Sequence, residues 1–236
     1  MLDVKTWSTE WGGRTLTVEV GKMALQATAS CTVRYGDTVM LATVVQSDRL
    51  GPGDYFPLMV SFEEKLYAAG KIKGSRFIKR EGRPSDESIL SGRVIDRALR
   101  PLFDDRMRNN IQVVVTALSV DQENDAAIVG LIAASCVLSI SPIPWNGPLG
   151  ATRIGKKDGK LILNATREEI KTGDLDLVVA GTTEKLVMVE AAANELSEDE
   201  MYEAMKWGGE QLSPIIDLVN KMVKELFNQK RSVKQS

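Results

Sequence analysis

Fifteen consecutive residues, Ala126–Ile140, carry no charged side chain. The run is too short, and too interrupted by Gly130, Ser135 and Ser139, to span a bilayer. Asn124–Asp125 stands directly before it with the chemistry of a helix cap. A capped helix that is apolar on every face has no side to offer to water, so the rest of the chain must surround it. That requirement sets the task for the flanking segments.

Those segments read mostly as strands. Residues 14–21 alternate, and 24–34 and 38–47 follow as two strands joined at Tyr35-Gly36-Asp37, a hairpin turn sequence. Further strands are expected at 58–62, 111–120, 149–156, 160–164, 175–181 and 185–191, with Lys157-Asp158-Gly159 as a tight turn. A helix is predicted over 86–99, opened by Ser85 and closed by Pro101. Thr166 with Glu169 and Ser197 with Glu200 form two capping boxes, and Ser213-Pro214 restarts a helix that runs to about Phe227. Strands interleaved with helices and rich in hairpins point to an α+β fold, a two-layer β-α sandwich. Pro142, Pro144 and Pro148 mark a connection between two lobes, expected at about 10–141 and about 145–228 within one core of residues 1–228. Residues 229–236 are polar and are expected to be the disordered start of a linker.

The chain has 236 residues and no histidine, which removes the usual general base and every Ser-His or Cys-His nucleophile pair. Chemistry here would rest on carboxylates, lysine, arginine clamps or a hard metal held through oxygen. Cys31 and Cys136 sit in apolar surroundings and read as buried free thiols. The amino end, Met1-Leu2-Asp3-Val4-Lys5, has no signal-like apolar segment, so a cytoplasmic protein without membrane contact is expected.

Charge is concentrated in one place. Residues 65–108 hold twelve Lys and Arg against six acids, a local +6 in a chain of net −2. Within it, Gly70–Pro84 is a glycine-punctuated basic loop carrying Phe77, Lys79, Arg80 and Arg83. Cations for phosphates beside an aromatic face for a base are what single-stranded nucleic acid requires. Arg93, Arg97 and Arg100 recur at helical spacing just downstream, on one face, where guanidinium forks can follow successive phosphates. Single arginines of this kind also serve as ion-pair partners, but the field of the whole stretch favours a polyanion site.

The segments Asp54–Pro57, Glu64–Ile72, Phe77–Pro84, Ile95–Phe103, Asn146-Gly147-Pro148 and Asp176–Thr182 together resemble the polynucleotide phosphorylase family. The resemblance is to the first of that family's two ribonuclease PH-type cores and covers essentially the whole chain. It implies a ribonuclease PH fold and a place in a phosphate-dependent 3′→5′ exoribonuclease, a polyribonucleotide nucleotidyltransferase that degrades RNA to nucleoside diphosphates in mRNA turnover. It implies single-stranded RNA as partner, with inorganic phosphate as co-substrate and Mg2+ held mainly by the second core. Homotrimer formation by the full-length protein and membership of an RNA-degradation complex are implied as well. Phe77, Lys79, Arg80, Arg83, Arg93, Arg97 and Arg100 match the family's RNA-binding positions.

Gly173-Asp174-Leu175-Asp176 is similar to the segment that brings a catalytic aspartate in the second core. Val178 stands where that core has a lysine, and Ala133-Ala134-Ser135-Cys136 stands where it has a phosphate loop. Asp174 and Asp176 are therefore read as structural, and neither a catalytic nor a metal-binding residue is assigned. The expectation is an RNA-binding, ring-building core that is inactive alone. A free-standing non-catalytic RNA-binding ring subunit is the alternative, and an active single-core phosphorolytic nuclease is disfavoured by the missing lysine and phosphate loop.

Overall fold

In the computed structural model, which describes residues 3–51, 53–72, 74, 82–121 and 123–233, the chain builds two sheets. Six strands form the first: β1 (Lys5–Trp11), β2 (Arg14–Val20), β3 (Ala29–Tyr35), β4 (Thr38–Leu50), β5 (Leu58–Glu64) and β6 (Asn109–Ser119), in the order β1-β2-β3-β4-β6-β5. All neighbours are antiparallel except β5 and β6. That parallel pair needs a crossover, and α1 (Asp86–Leu99) supplies it. Alternation drives the assembly: Ile111, Val113, Val115 and Ala117 of β6 are all buried on one face. Gly36 turns the β3–β4 hairpin at φ +62, where a side chain would also strike the Asn124 amide, 2.5 Å from a built Cβ.

The apolar helix α2 (Ala126–Ile140) is buried from Ile128 to Leu138 without interruption. Asp125 caps it, its Oδ1 accepting from the Ala127 and Ile128 amides at 2.8 and 3.3 Å. Its one fully buried hydroxyl, Ser135, accepts from the Leu149 amide at 3.0 Å, so the helix hides no unsatisfied group there. The surroundings its composition demands come from β3, β4 and β6 on one side and from α1 and the second sheet on others.

That second sheet holds β7 (Gly150–Lys157), β8 (Lys160–Leu163), β9 (Leu175–Gly181) and β10 (Leu186–Ala193), ordered β10-β9-β7-β8 and antiparallel throughout. α3 (Arg167–Thr172), α4 (Glu198–Glu210) and α5 (Ser213–Val233) complete the chain. Both capping boxes form as their sequences require. The architecture is the α+β sandwich of sheets and helices that the pattern of elements implied.

The structure departs from the sequence expectations at three places. β1 was not anticipated, and it moves the start of the first lobe from about residue 10 to Lys5. Its two large apolar residues are four apart, Trp7 and Trp11, with Thr9 between them, so alternation is weak; Trp7 Nε1 donates to Glu225 of α5 (2.7 Å), while Trp11 Nε1 donates to the Gln211 carbonyl and its ring packs on Tyr35. β3 begins at Ala29 rather than 24, because Ala24 takes φ +51 and the Ala27 amide donates back to its carbonyl. α5 continues to Val233, through positions 229–233 expected in the disordered tail; 234–236 lie outside the described residues. Its buried face, Ile215, Leu218, Val219 and Met222, joins the core of the first sheet. A separate small core of Ile154, Leu175, Leu177, Val179 and Ala204 lies between the second sheet and α4.

Candidate nucleic-acid interface

The basic stretch leaves and re-enters the fold at one end of the first sheet. β5 ends at Glu64 and runs into a single 3-10 turn, Leu66–Ala69, stopped by Gly70 at φ +66. Its Ala68 carbonyl accepts from the Val120 amide at 3.0 Å, tying the turn to the chain leaving β6. On the return, Ser85 caps α1 by accepting from the Ser88 amide and donates to Glu64 Oε2 at 2.7 Å. Both feet of the loop are thus fixed to the same strand end. Arg83 is exposed beside the second foot. Phe77, Lys79 and Arg80 lie outside the described residues.

The three arginines of α1 share a helix but not a task. Arg100 chelates Asp96 at 2.9 and 2.6 Å and donates to the Phe56 and Leu58 carbonyls at 3.3 and 3.1 Å, its guanidinium 5.9 Å from the Phe56 ring centre. Ser88 donates to the Phe62 carbonyl further along the same strand. α1 therefore covers the open edge of β5, a strand that would otherwise present unpaired carbonyls. Arg97 pairs with Glu190 of β10 at 2.7 Å, both side chains half exposed. Arg93 has no partner among the described residues and borders a groove of about 520 Å³ between β5 and α1 with Met59 and Ile89. The expected row of three open forks is one open fork, one in a surface pair and one spent on the fold.

On the other side of α1 a cleft of about 480 Å³ separates it from the second sheet. Leu90, Val94, Ala126 and Val178 make its walls apolar, and five acidic side chains against three basic ones line it. Arg153, on β7, is the basic group at its base. Its Nε and one Nη donate to Asp176 at 2.7 and 2.6 Å, and the other Nη donates to Asp125, the α2 cap. The Asp176 hydrogen bonds, and then the charge of Asp125, hold the guanidinium still further above its already high pKa. A cation clasped by two carboxylates has no fork left for a phosphate. Among the described residues no group of three or more carboxylates or thiols is placed to ligate a metal. Asp174 is exposed, and its backbone ties β9 to its neighbours, donating to Lys156 and accepting from Asn194. Ser135 and Cys136 are sealed inside α2.

Arg153 was not singled out from the sequence. The one available signal was a cation in the middle of a strand, Ala151-Thr152-Arg153-Ile154-Gly155, whose other members are all buried. Its partners are 23 and 28 residues away, beyond any local pattern.

Residues 12–144 match the 3′ exoribonuclease family, domain 1, and residues 147–211 match domain 2 of the same family. The chain is 50% identical over 231 residues to a polyribonucleotide nucleotidyltransferase of Heliobacterium modesticaldum, covering 98% of this chain and 32% of that protein. The Rhodospirillum centenum protein of the same name is 53% identical over 210 residues, 89% of this chain and 30% of its own. A Listeria monocytogenes one is 43% identical over 233 residues, at 99% and 32%. The chain thus spans about a third of the length of these curated relatives. Among solved structures, rice (Oryza sativa) Rrp46 superposes with a TM-score of 0.70 at 15% identity, covering 94% of this chain and 96% of the rice chain, a likeness of fold.

Proposed function

The chain belongs to the 3′ exoribonuclease family, and on that premise we propose that it is the amino-terminal ribonuclease PH-type core of a polyribonucleotide nucleotidyltransferase. In this reading the whole protein is a phosphorolytic enzyme: inorganic phosphate attacks the 3′-terminal phosphodiester of RNA and releases a nucleoside diphosphate. This core grips single-stranded RNA and builds the ring, a homotrimer of the full-length protein in the cytoplasm, while the reaction is carried out by a second core. Among the described residues no helix is long and apolar enough to cross a membrane.

One observation carries the division of labour: Arg153, the largely buried cation of the cleft, is clasped by Asp125 and Asp176. Phosphorolysis brings two anions together and needs uncommitted cations or a metal to offset the charge that builds up between them. Here the buried cation is already committed, while the other two that line the cleft, Lys171 and Arg167, are exposed and Arg167 is paired with Glu87; no step of the reaction is routed through Mg2+ here. The RNA side is better provided. Arg93 is open, and Arg97 is held only by an exposed ion pair worth about 0–1 kcal/mol, so exchanging Glu190 for a phosphate costs little. Arg83 stands at the foot of the loop whose Phe77, Lys79 and Arg80 complete the set by resemblance. Arg100 contributes by holding β5 and α1 together beneath them.

The test is release of labelled nucleoside diphosphate from the 3′ end of poly(A) by this chain with phosphate and Mg2+. The expected result is none. Turnover that survives purification and disappears in Asp174→Ala overturns the reading of this core as non-catalytic. No observation favours the free-standing ring subunit over this reading.

A further inference from the structure

Where the chain enters the basic loop, three large apolar side chains face solvent within seven residues. Leu66 is 41%, Tyr67 58% and Ile72 95% exposed. Exposed apolar groups scattered singly need no explanation, but three so close along the chain do. This stretch is also rigid at its centre. Ala68 is buried beneath it, the Gly70 amide donates to the Tyr67 carbonyl at 3.0 Å, and the Lys71 amide donates to Leu66 at 3.0 Å. The bond from Val120 to Ala68 anchors the turn to the sheet. Among the described residues the Tyr67 ring has neither a hydrogen bond nor an aromatic partner. A preorganised ring with two rotatable bonds loses little entropy when something flat settles on it.

From this we infer that Tyr67, flanked in the sequence by Leu66 and Ile72, is a base-stacking platform that extends the RNA track from the loop onto the body of the core. The inference rests on the RNA-binding reading and adds a residue to it. Charge selects the occupant. Lys71 follows four residues after Tyr67, Arg83 stands at the loop's other foot, and the stretch from 65 to 108 carries +6. Phosphates are drawn to this field, whereas the base faces need an apolar surface. The two other exposed tyrosines lack the combination. Tyr202 sits on α4 among Glu198, Asp199, Glu200 and Glu203, and Tyr55 lies next to Asp54 at the opposite end of β5. Stacking tolerates any base, so the platform confers affinity without sequence preference.

The experiment titrates the 236-residue chain into a fluorescently labelled oligo(A) at several salt concentrations, with a 2-aminopurine-substituted oligonucleotide in parallel. Tyr67→Ala is expected to weaken binding about tenfold and to abolish the 2-aminopurine quenching. Tyr67→Phe keeps both within about twofold, because the hydroxyl is not what stacks. Neither changes the salt slope, since no phosphate contact is lost, whereas Arg80→Ala with Arg83→Ala flattens it by about 0.7 per contact removed. Tyr202→Ala has no effect. If the arginine variant weakens binding and Tyr67→Ala does not, the platform is refuted while RNA binding stands. If the wild-type chain fails to bind, or the arginine variant binds as it does, the RNA-binding reading falls and takes the platform with it. If Tyr67→Ala alters sedimentation but not RNA binding, the surface is a protein contact and the inference is overturned.

Discussion

Replacing Arg153 with methionine removes the clasped cation and keeps most of the side-chain volume. Three charge-assisted hydrogen bonds disappear, and Asp125 and Asp176 are left facing one another without it. Breaking a fully buried ion pair costs about 3–5 kcal/mol, and an exposed one about 0–1 kcal/mol. The side chains here are 25% exposed for Arg153, 19% for Asp125 and 30% for Asp176, so the triad lies between these limits and closer to the first. Asp125 goes on capping α2 after the change, so no helix-cap loss is added. A loss of about 2–3 kcal/mol follows. With a urea m-value of about 3 kcal/mol/M for a chain of this size, the unfolding midpoint falls by about 0.7–1 M. Asp176→Asn alone costs less, because Arg153 keeps Asp125. The double variant gives a coupling of about 1.5 kcal/mol in a mutant cycle. A midpoint shift under about 0.3 M, or a coupling near zero, refutes the reasoning: the triad is then worth no more than a surface pair.

Arg100→Ala exposes the β5 carbonyls that the guanidinium covers, and is expected to cost about 1–2 kcal/mol in thermal unfolding. It should also promote concentration-dependent self-association in sedimentation, while Arg93→Ala leaves both unchanged. Gly208→Ala places a methyl 2.3 Å from Ile154 Cδ1 and 2.9 Å from Val179 Cγ2, so the smaller core must shift, at about 1–3 kcal/mol in chemical denaturation. Glu200 is held at about 2, first by the Lys156 ammonium and then by the Ser197 amide, against an ordinary 4.5. Its folded value is depressed, so the contact's contribution is complete above about 4.5 and fades as pH falls towards 2; a carboxyl NMR titration near 4.5 contradicts the contact. Burial pushes the Cys136 thiol up to about 12 and raises Cys31 as well, so Ellman's reagent should find no thiol in the native chain at pH 8 and two after denaturation.

What the sequence disclosed was what neighbours in the chain decide. The Ser85 cap, the two capping boxes and the alternation along β6 are local contests, and each is settled within a few residues. The apolar run announced α2 because no partner is needed to see that such a helix must be buried. β1 stayed hidden because Trp7 and Trp11 find their polar partners far along the chain, Glu225 of α5 for one and the Gln211 carbonyl for the other. Arg153, Asp125 and Asp176 were individually visible, and only the fold brings them together. The basic loop's charge was legible while the division of labour among the α1 arginines was not. Arg97 and Arg100 differ by what lies across from them: Glu190 on β10 for one, the edge of β5 for the other.

The return of α5 to the first sheet has a consequence for synthesis. As the chain emerges from the ribosome, the six strands and α2 are all available by about residue 140, yet one flank of α2 and the Trp7 side of β1 have no cover until Ile215–Met222 arrives. Some seventy residues of translation therefore separate the making of the most apolar helix from the making of its last neighbour. At about 5–20 residues per second this interval lasts several seconds, during which the larger core is open on one side. A nascent chain arrested before α5 should consequently be held by chaperones, and one arrested after it should be released.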